Sequence, residues 1–457
     1  MINKLSFTST LCRSQELFIP YNDRNIHMYV CGVTPYDDAH IGHGRCYVTF
    51  DVVYRLLRSQ GYQVKYIRNI TDIDDKLLNR ARDQYGDQFR YNDVATYYAK
   101  RFQEDVIRLG CISPSFEPRV TDHIPEIITA VEQLVDSGHA YVANGSVYYR
   151  VSSYASYGAL SHQNIGDLRA GARVECNDEK EDPLDFALWK AEPEGEFWQT
   201  KWGWGRPGWH IECSVLAHTY GGAHLDLHGG GMDLMFPHHE NERAQSEALY
   251  GAPFVKIWMH NAFVRVQQEK MSKSLGNFVT LRQAFERCEP EVLRYYYLIH
   301  HYRKPLDFSW DDIAGARKSY QRLIALCGVG AVAATQEIVQ IDDYLENLQP
   351  AEREFIHRMI ANLYDDVNVQ GMCGFIFEHA DAIRAHPVLQ QTVKMLLHSI
   401  LGLSLQPLPE KTVAMTPEIQ QLLDERTEAR KQRDWKRSDE LRAQLEALGV
   451  AVRDGKV

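Results

Sequence analysis

Apolar positions along this chain switch between two periods, and the switches mark its elements. Residues 26–31, Ile-His-Met-Tyr-Val-Cys, form an apolar run of strand length, and 32–38 after it reads as a loop rich in Gly, Pro and Asp. From Gly44 the apolar positions recur at Val48, Val52 and Leu56, a helical spacing that Gly61 stops. Residues 63–70 then predict a second strand. Strand, loop, helix and strand make a unit that favours a parallel sheet with ligands at the strands' C-terminal ends. A similar unit returns downstream: a strand over 224–228, a flexible loop at Gly229-Gly230-Gly231, a helix over 237–250 and a strand over 254–260. Between the two units, residues of about 122–200 carry short mixed elements and the charged stretch 177–183, which predicts an insertion splitting one domain into halves. Beyond residue 280 helical spacing dominates, over 311–326, 351–364 and 387–401. Residues 406–416, with Pro407 and Pro409, read as a linker to an amphipathic pair over 417–431 and 435–448, stopped by Gly449.

A length of 457 residues leaves room for two to four domains of about 100–200 residues each. Residues 1–14 show no basic stretch ahead of an apolar one, and no run approaches the roughly 20 apolar residues that span a bilayer, so the expected setting is the cytoplasm. Nine cysteines stand scattered, with no Cys-x-x-Cys, which argues against a disulfide framework and leaves buried thiols and isolated metal ligands. A net charge of −11 speaks against nucleic acid as partner for the chain as a whole. Locally the balance reverses: residues 426–442 hold seven basic and four acidic side chains around Trp435.

Two motifs carry phosphate chemistry. His40-Ile41-Gly42-His43 opens the first helix, where two imidazoles, a glycine and the helix dipole can meet phosphate oxygens. Lys270-Met-Ser-Lys273-Ser lies far downstream, with two lysines suited to the charge that develops as pyrophosphate leaves. Either string alone recurs by chance on the order of once in several hundred to several thousand chains, and together, in this order, they are improbable as coincidence. Both are signature sequences of class I aminoacyl-tRNA synthetases, which the chain resembles through them.

Cysteine, histidine and glutamate recur in Cys31, in 205–214 (Gly-Arg-Pro-Gly-Trp-His-Ile-Glu-Cys-Ser) and in 236–242 (Phe-Pro-His-His-Glu-Asn-Glu). His238 and Glu242, four apart, would share a helix face and suit chelation of one ion. Spacing alone leaves His210, His218, His224, His228 and His239 as rival ligands, and a lone Cys31 or Cys213 is most often a buried thiol. These stretches are similar to those of the cysteinyl-tRNA synthetases. That resemblance implies one zinc held by Cys31, Cys213, His238 and Glu242, which would take the substrate thiol as thiolate and reject serine. It implies further that His40, His43, Lys270 and Lys273 are catalytic. ATP, with Mg2+, would be bound by His40, Gly42, His43, Gly230, Gly231, Asp233, Lys270 and Lys273. Substrate cysteine would meet Gly32, Thr71 of the Asn69–Asp75 stretch, and Trp209. At the C-terminus Arg430, Trp435 and Asp439 would read the anticodon of tRNA-Cys.

The implied fold is a Rossmann-like α/β catalytic domain in two halves, 1–121 and 201–262, split by the insertion 122–200. A connecting domain over 263–315, a helical bundle over 316–405 and a small anticodon-binding domain over 406–457 would follow, in a monomer. The family's Asp-Asp-Phe-Asn-Thr motif stands here as Asp365-Asp-Val-Asn-Val369. Two other readings remain at this stage. One is a ligase passing cysteinyl-adenylate to an amino-sugar, against which the basic C-terminal segment stands. The other is a catalytically idle zinc-containing RNA-binding protein, which would need neither phosphate signature.

Overall fold

A computed structural model of the chain describes residues 5–164, 166, 179–251, 253–266, 269–270, 278–328, 338–409 and 417–447, with only the backbone of 269, 270, 446 and 447. Its centre is a four-stranded sheet in which every pair is parallel. The order is Val255–Asn261, Leu225–Gly231, Asn25–Val33, Gln63–Ile70. In chain order the strands therefore lie fourth, third, first, second, and the order reverses between Asn25–Val33 and Leu225–Gly231. A crevice opens at the C-terminal ends of the strands at such a switch point. The strands are buried along most of their length rather than at alternate residues, as in a parallel sheet covered on both faces. The first of these helices, Ile41–Ser59, buries most of its length and follows the first strand directly.

Gly229-Gly230-Gly231 is part of a strand, not a flexible loop. Gly229 pairs with Met259 and Val30, and Gly231 with Asn261. The glycines serve packing: a Cβ on Gly229 would fall 2.1 Å from the ring of Phe50, on the helix Ile41–Ser59. The expected helix over 237–250 is divided into a wide turn, Met235–His239, and the helix Glu240–Tyr250.

The inserted segment opens with the helix Ile124–Asp136 and forms a five-stranded antiparallel sheet that ends with Gly203–Pro207. It shares one apolar cluster with the parallel sheet, in which Tyr29, Ile67 and Trp258 meet Ile127, Val131 and Trp189. Sequence periodicity had left the helices Asp75–Tyr85 and Tyr91–Arg108 unassigned. The later helices Trp310–Cys327, Pro350–Tyr364 and Pro387–Leu401 lie where helical spacing predicts them. The chain divides into two compact units, 1–406 and 407–457, the second built on Pro417–Lys431 and Trp435–Ala447. Among the described residues no helix is long and apolar enough to cross a membrane.

Candidate metal centre and nucleotide cavity

Four elements converge below the switch point. Cys31 lies near the end of the first strand, Cys213 on the helix Trp209–Gly221, His238 in the wide turn and Glu242 in the first turn of the helix after it. All four are buried, and one ligand atom from each lies within 4.8 Å of the other three. His238 Nε2 is 3.0 Å from Glu242 Oε1. The Cys31 thiol donates to Glu242 Oε1 at 3.4 Å and to Cys213 Sγ at 3.9 Å. Ligand atoms around a tetrahedral zinc stand roughly 3.3–3.8 Å apart, given bonds of about 2.0–2.3 Å, so the set fits such an ion with small adjustment.

The imidazole of His238 is held from behind. Its Nδ1 faces His210 Nδ1 at 2.9 Å, and Trp209 stacks on it at 4.3 Å, leaving Nε2 to face the cluster. A second, overlapping set of four consists of Cys31, His228, His239 and Glu242. His228 Nε2 approaches Glu242 Oε2 at 2.9 Å, and His239 Nε2 approaches Cys31 Sγ at 3.3 Å. His260, which sequence reasoning passed over, meets His239 Nδ1 at 2.7 Å. His218 and His224 lie elsewhere, one stacked on Tyr250 at 3.6 Å and the other bonded to the Pro253 carbonyl at 2.7 Å.

Charge in this cluster is arranged for a cation. Burial pushes the Cys31 thiol well up, whereas the hydrogen bond from Cys31 brings Cys213 down to about 6. Burial opposes ionisation of His238 and Glu242, but neighbouring charges outweigh it: Glu242, with Cys213 adding to it, raises His238 to about 10, and His228, with His238 adding to it, holds Glu242 well below the usual carboxylate range. A thiolate and a carboxylate thus face protons on His238 and Cys31, and those protons are what a bound divalent ion displaces.

A cavity of about 520 Å3 rises from Cys31, Cys213 and His238 to His40, Gly42 and His43. Gly32, Thr71 and Trp209 line it between those ends. Gly32 is compelled by close approach, because a Cβ there would sit 1.6 Å from the Asn69 carbonyl. Thr71 is buried, donates to Glu212 Oε2 at 3.2 Å and accepts from Asn69 Nδ2 at 3.2 Å. Trp209, 36% exposed, forms wall rather than core. Burial, with the neighbouring Cys213 adding to it, pushes the Glu212 carboxyl well up.

At the upper end His40 caps the helix that begins at Ile41. The His43 N–H donates to His40 Nδ1 at 3.2 Å, the His40 N–H donates to His43 Nδ1 at 3.3 Å, and the rings stack at 3.7 Å. A neutral imidazole whose Nδ1 accepts carries its proton on Nε2. Desolvation, with Lys76 adding to it, lowers His43 to about 4, so this ring stays a neutral donor at physiological pH. Gly231 and Asp233 line the same cavity, while Gly230 packs behind it towards Leu234 and His239. The backbone of Lys270 pairs with Arg265; its side chain and the whole of Lys273 lie outside the described residues. Lys76, missed in the sequence although it directly follows Asn69–Asp75, also lines the cavity and is the one Lys or Arg among its described lining residues.

In the C-terminal unit Trp435 opens its helix and is 58% exposed. Arg430 lies in the last turn of the preceding helix, and Asp439 is exposed.

Comparison with known proteins gives two family matches. Residues 17–318 match the tRNA synthetases class I (C) catalytic domain, and residues 412–457 match the cysteinyl-tRNA ligase anticodon binding domain. The chain is 42% identical over 469 residues to a cysteine–tRNA ligase of Geobacter sp. (strain M21), covering 98% of this chain and 97% of that one. It is 43% identical over 472 residues to a cysteine–tRNA ligase of Pseudomonas aeruginosa (strain LESB58), covering 99% and 98%. Among solved structures, Mycobacterium tuberculosis methionyl-tRNA synthetase in complex with methionyl-adenylate aligns with a TM-score of 0.57 at 14% identity, covering 86% of this chain and 95% of that one; this likeness concerns the fold alone.

Proposed function

Because this chain belongs to the cysteine–tRNA ligase family of class I aminoacyl-tRNA synthetases, we propose that it charges tRNA-Cys in two steps within the cavity described above. In the first, the carboxylate of cysteine attacks the α-phosphorus of ATP, supplied with Mg2+, and pyrophosphate leaves. In the second, a hydroxyl of the terminal ribose of tRNA attacks the acyl carbon of cysteinyl-adenylate and AMP leaves.

His40 and His43 present Nε2 protons to the phosphates beside the positive end of their helix, and Gly42 leaves that approach open. Lys270 and Lys273 stabilise the pyrophosphate charge as it develops. Asp233 takes the ribose hydroxyls, and Gly231 lets the strand run close to the adenosine, with Gly230 packed behind it. Thr71 and Gly32 bound the cysteine backbone, and Trp209 closes the pocket near its side chain. Cys31, Cys213, His238 and Glu242 are the residues that would hold zinc, whose affinity for thiolate over hydroxyl supplies the choice of cysteine over serine. Trp435 offers a stacking face to an anticodon base, with Arg430 and Asp439 beside it in sequence and on the same two-helix unit.

One observation carries the reading: in a buried set of two thiols, an imidazole and a carboxylate, the thiols and the imidazole line the same cavity whose other end holds the paired histidines. The match of residues 412–457 to an anticodon-binding domain favours tRNA over an amino-sugar as acceptor. The test is ATP–pyrophosphate exchange with each amino acid, followed by charging of total tRNA. Exchange with cysteine alone and charging of tRNA-Cys are expected. Exchange with serine at a comparable rate would overturn the selection mechanism, and exchange without charging would overturn tRNA as acceptor.

A further inference from the structure

We infer that Arg45 is a positioning residue for cysteine activation, holding one wall of the cavity in register with the helix that carries His40 and His43. The inference rests on the activation step proposed above. Arg45 lies two residues beyond His43 on that helix, is fully buried and does not line the cavity. Its guanidinium donates four hydrogen bonds, all to main-chain carbonyls. Nη1 reaches Ala262 at 3.0 Å and Phe263 at 3.1 Å; Nη2 reaches His301 at 3.0 Å and Lys304 at 2.6 Å. Burying a guanidinium against carbonyls costs desolvation that an apolar side chain of similar volume would not incur. Stability alone is therefore a poor account of its presence.

The carbonyls it gathers belong to two segments that lead into paired strands. Residues 262–263 join Val255–Asn261 to Val264–Val266, and 301–304 lead to Leu306–Phe308. Those short strands pair in parallel, Val264 with Leu306 and Val266 with Phe308. The Ala262 N–H donates to the Tyr302 carbonyl at 2.8 Å and the Leu306 N–H to the Phe263 carbonyl at 2.9 Å, so the segments move as one. Asn261, Ala262, Phe263 and Val264 line the cavity that His40 and His43 line.

The chain leaves this wall towards Lys270 and is described again at Phe278. There the Ile41 N–H donates to the Val279 carbonyl at 3.1 Å, and the Leu281 N–H to the Ala39 carbonyl at 2.7 Å. One helix start is thus bonded directly to the returning chain, and through Arg45 to the departing one. A second tie secures the far segment: Tyr302 Oη and Arg303 Nε donate to the buried Asp366 at 2.6 and 2.7 Å. This gives Asp366, in the altered Asp365–Val369 motif, a place in the same frame.

A misplacement of about 1 Å in a reacting geometry can cost about 10²-fold in rate. Arg45→Met is therefore expected to lower the kcat of ATP–pyrophosphate exchange by about 10²-fold. The KM for cysteine should stay within about twofold, because no residue of the metal floor touches Arg45, and metal content should stay parental. Arg45→Lys, whose compact ammonium cannot span both carbonyl pairs, should fall between parent and Arg45→Met. The parent's own exchange with cysteine tests the underlying reading, and the ratio of variant to parent tests Arg45. Parental kcat in Arg45→Met, or a cysteine KM that rises in step with the loss of kcat, overturns the inference. Should Arg45→Met not yield folded protein, Asp366→Asn decides: it loosens Tyr302 and Arg303, together with Thr8, while leaving the hydrogen bonds of Arg45 in place. A tenfold or greater loss of kcat at unchanged cysteine KM is expected there, and a parental kcat overturns the inference.

Discussion

His238, at the floor of the cavity, faces the buried Glu242, Nε2 to Oε1 at 3.0 Å, although the wide turn carries one and the following helix the other. Each stabilises the ionised form of the other against burial, and together with Cys213 they leave a charge distribution that a divalent cation completes. Cys213→Ser replaces the most acidic thiol of the set by a hard, weakly acidic hydroxyl. Zinc content and cysteine activation should fall together, measured by metal analysis and pyrophosphate exchange on the same sample. Full occupancy with parental exchange would remove Cys213 from the ligand set.

His210→Phe tests the support behind the proposed ligand His238. His210 sets the ring of His238 through a 2.9 Å contact between Nδ1 atoms. Losing a partner behind a ligating imidazole typically costs about 10–100-fold in metal affinity. Competition with a chelator should show a loss in that range, with thermal unfolding of the zinc-free protein nearly parental.

His43 should not titrate in the range ordinary for histidine. Its folded value of about 4 lies below the unfolded value of about 6.5, so the folded state refuses a proton that the unfolded chain accepts. The sign follows: His43 favours the fold above about pH 6.5, and that contribution is lost as pH falls towards about 4. The ring resonances assigned through His43→Gln should stay fixed from pH 7 to pH 5. Lys76→Met removes a neighbouring positive charge and should move the titration upward. A midpoint near 6.5 in the parent would contradict the assignment.

Lys273→Ala probes the second signature. A group acting on developing pyrophosphate charge contributes mainly in the transition state, so kcat for exchange should drop about 10²–10³-fold with cysteine KM little changed. Lost cysteine binding at parental turnover would place Lys273 in the amino-acid pocket.

Trp435→Ala separates the two reaction steps. The residue is 58% exposed, so its removal should leave unfolding and exchange largely intact. Loss of one stacked base should cost about 1–3 kcal/mol of tRNA recognition, read as slower charging at limiting tRNA. Arg430→Ala, if it meets phosphate, should also make tRNA binding less dependent on salt. Equal losses in exchange and charging would mean a structural tryptophan, and unchanged charging would mean that the anticodon is read elsewhere.

Local pattern and residue chemistry were enough for much of this. Local pattern predicts the four parallel strands and the helices Trp310–Cys327, Pro350–Tyr364, Pro387–Leu401, Pro417–Lys431 and Trp435–Ala447, because amphipathic helices leave their period in the sequence, whereas the shorter helices Ile341–Leu345, Val369–Glu378 and Ala380–Ala385 are not legible there. The phosphate signatures and the donor types of the metal set are likewise chemical words readable in one dimension. Proximity is not. Which of the histidines stand around Cys31 depends on how four elements pack, so His228, His239 and His260 enter the cluster while His218 and His224 leave it. The glycine run reads as a flexible loop because glycine marks both freedom and close approach, and only the fold, with Gly229 paired in a strand against the ring of Phe50, decides between them. Lys76 and Arg45 carried no distinguishing signal. The first acts through its place on the cavity wall, and the second through main-chain carbonyls, which every residue possesses and which acquire meaning only when the fold aims four of them at one guanidinium.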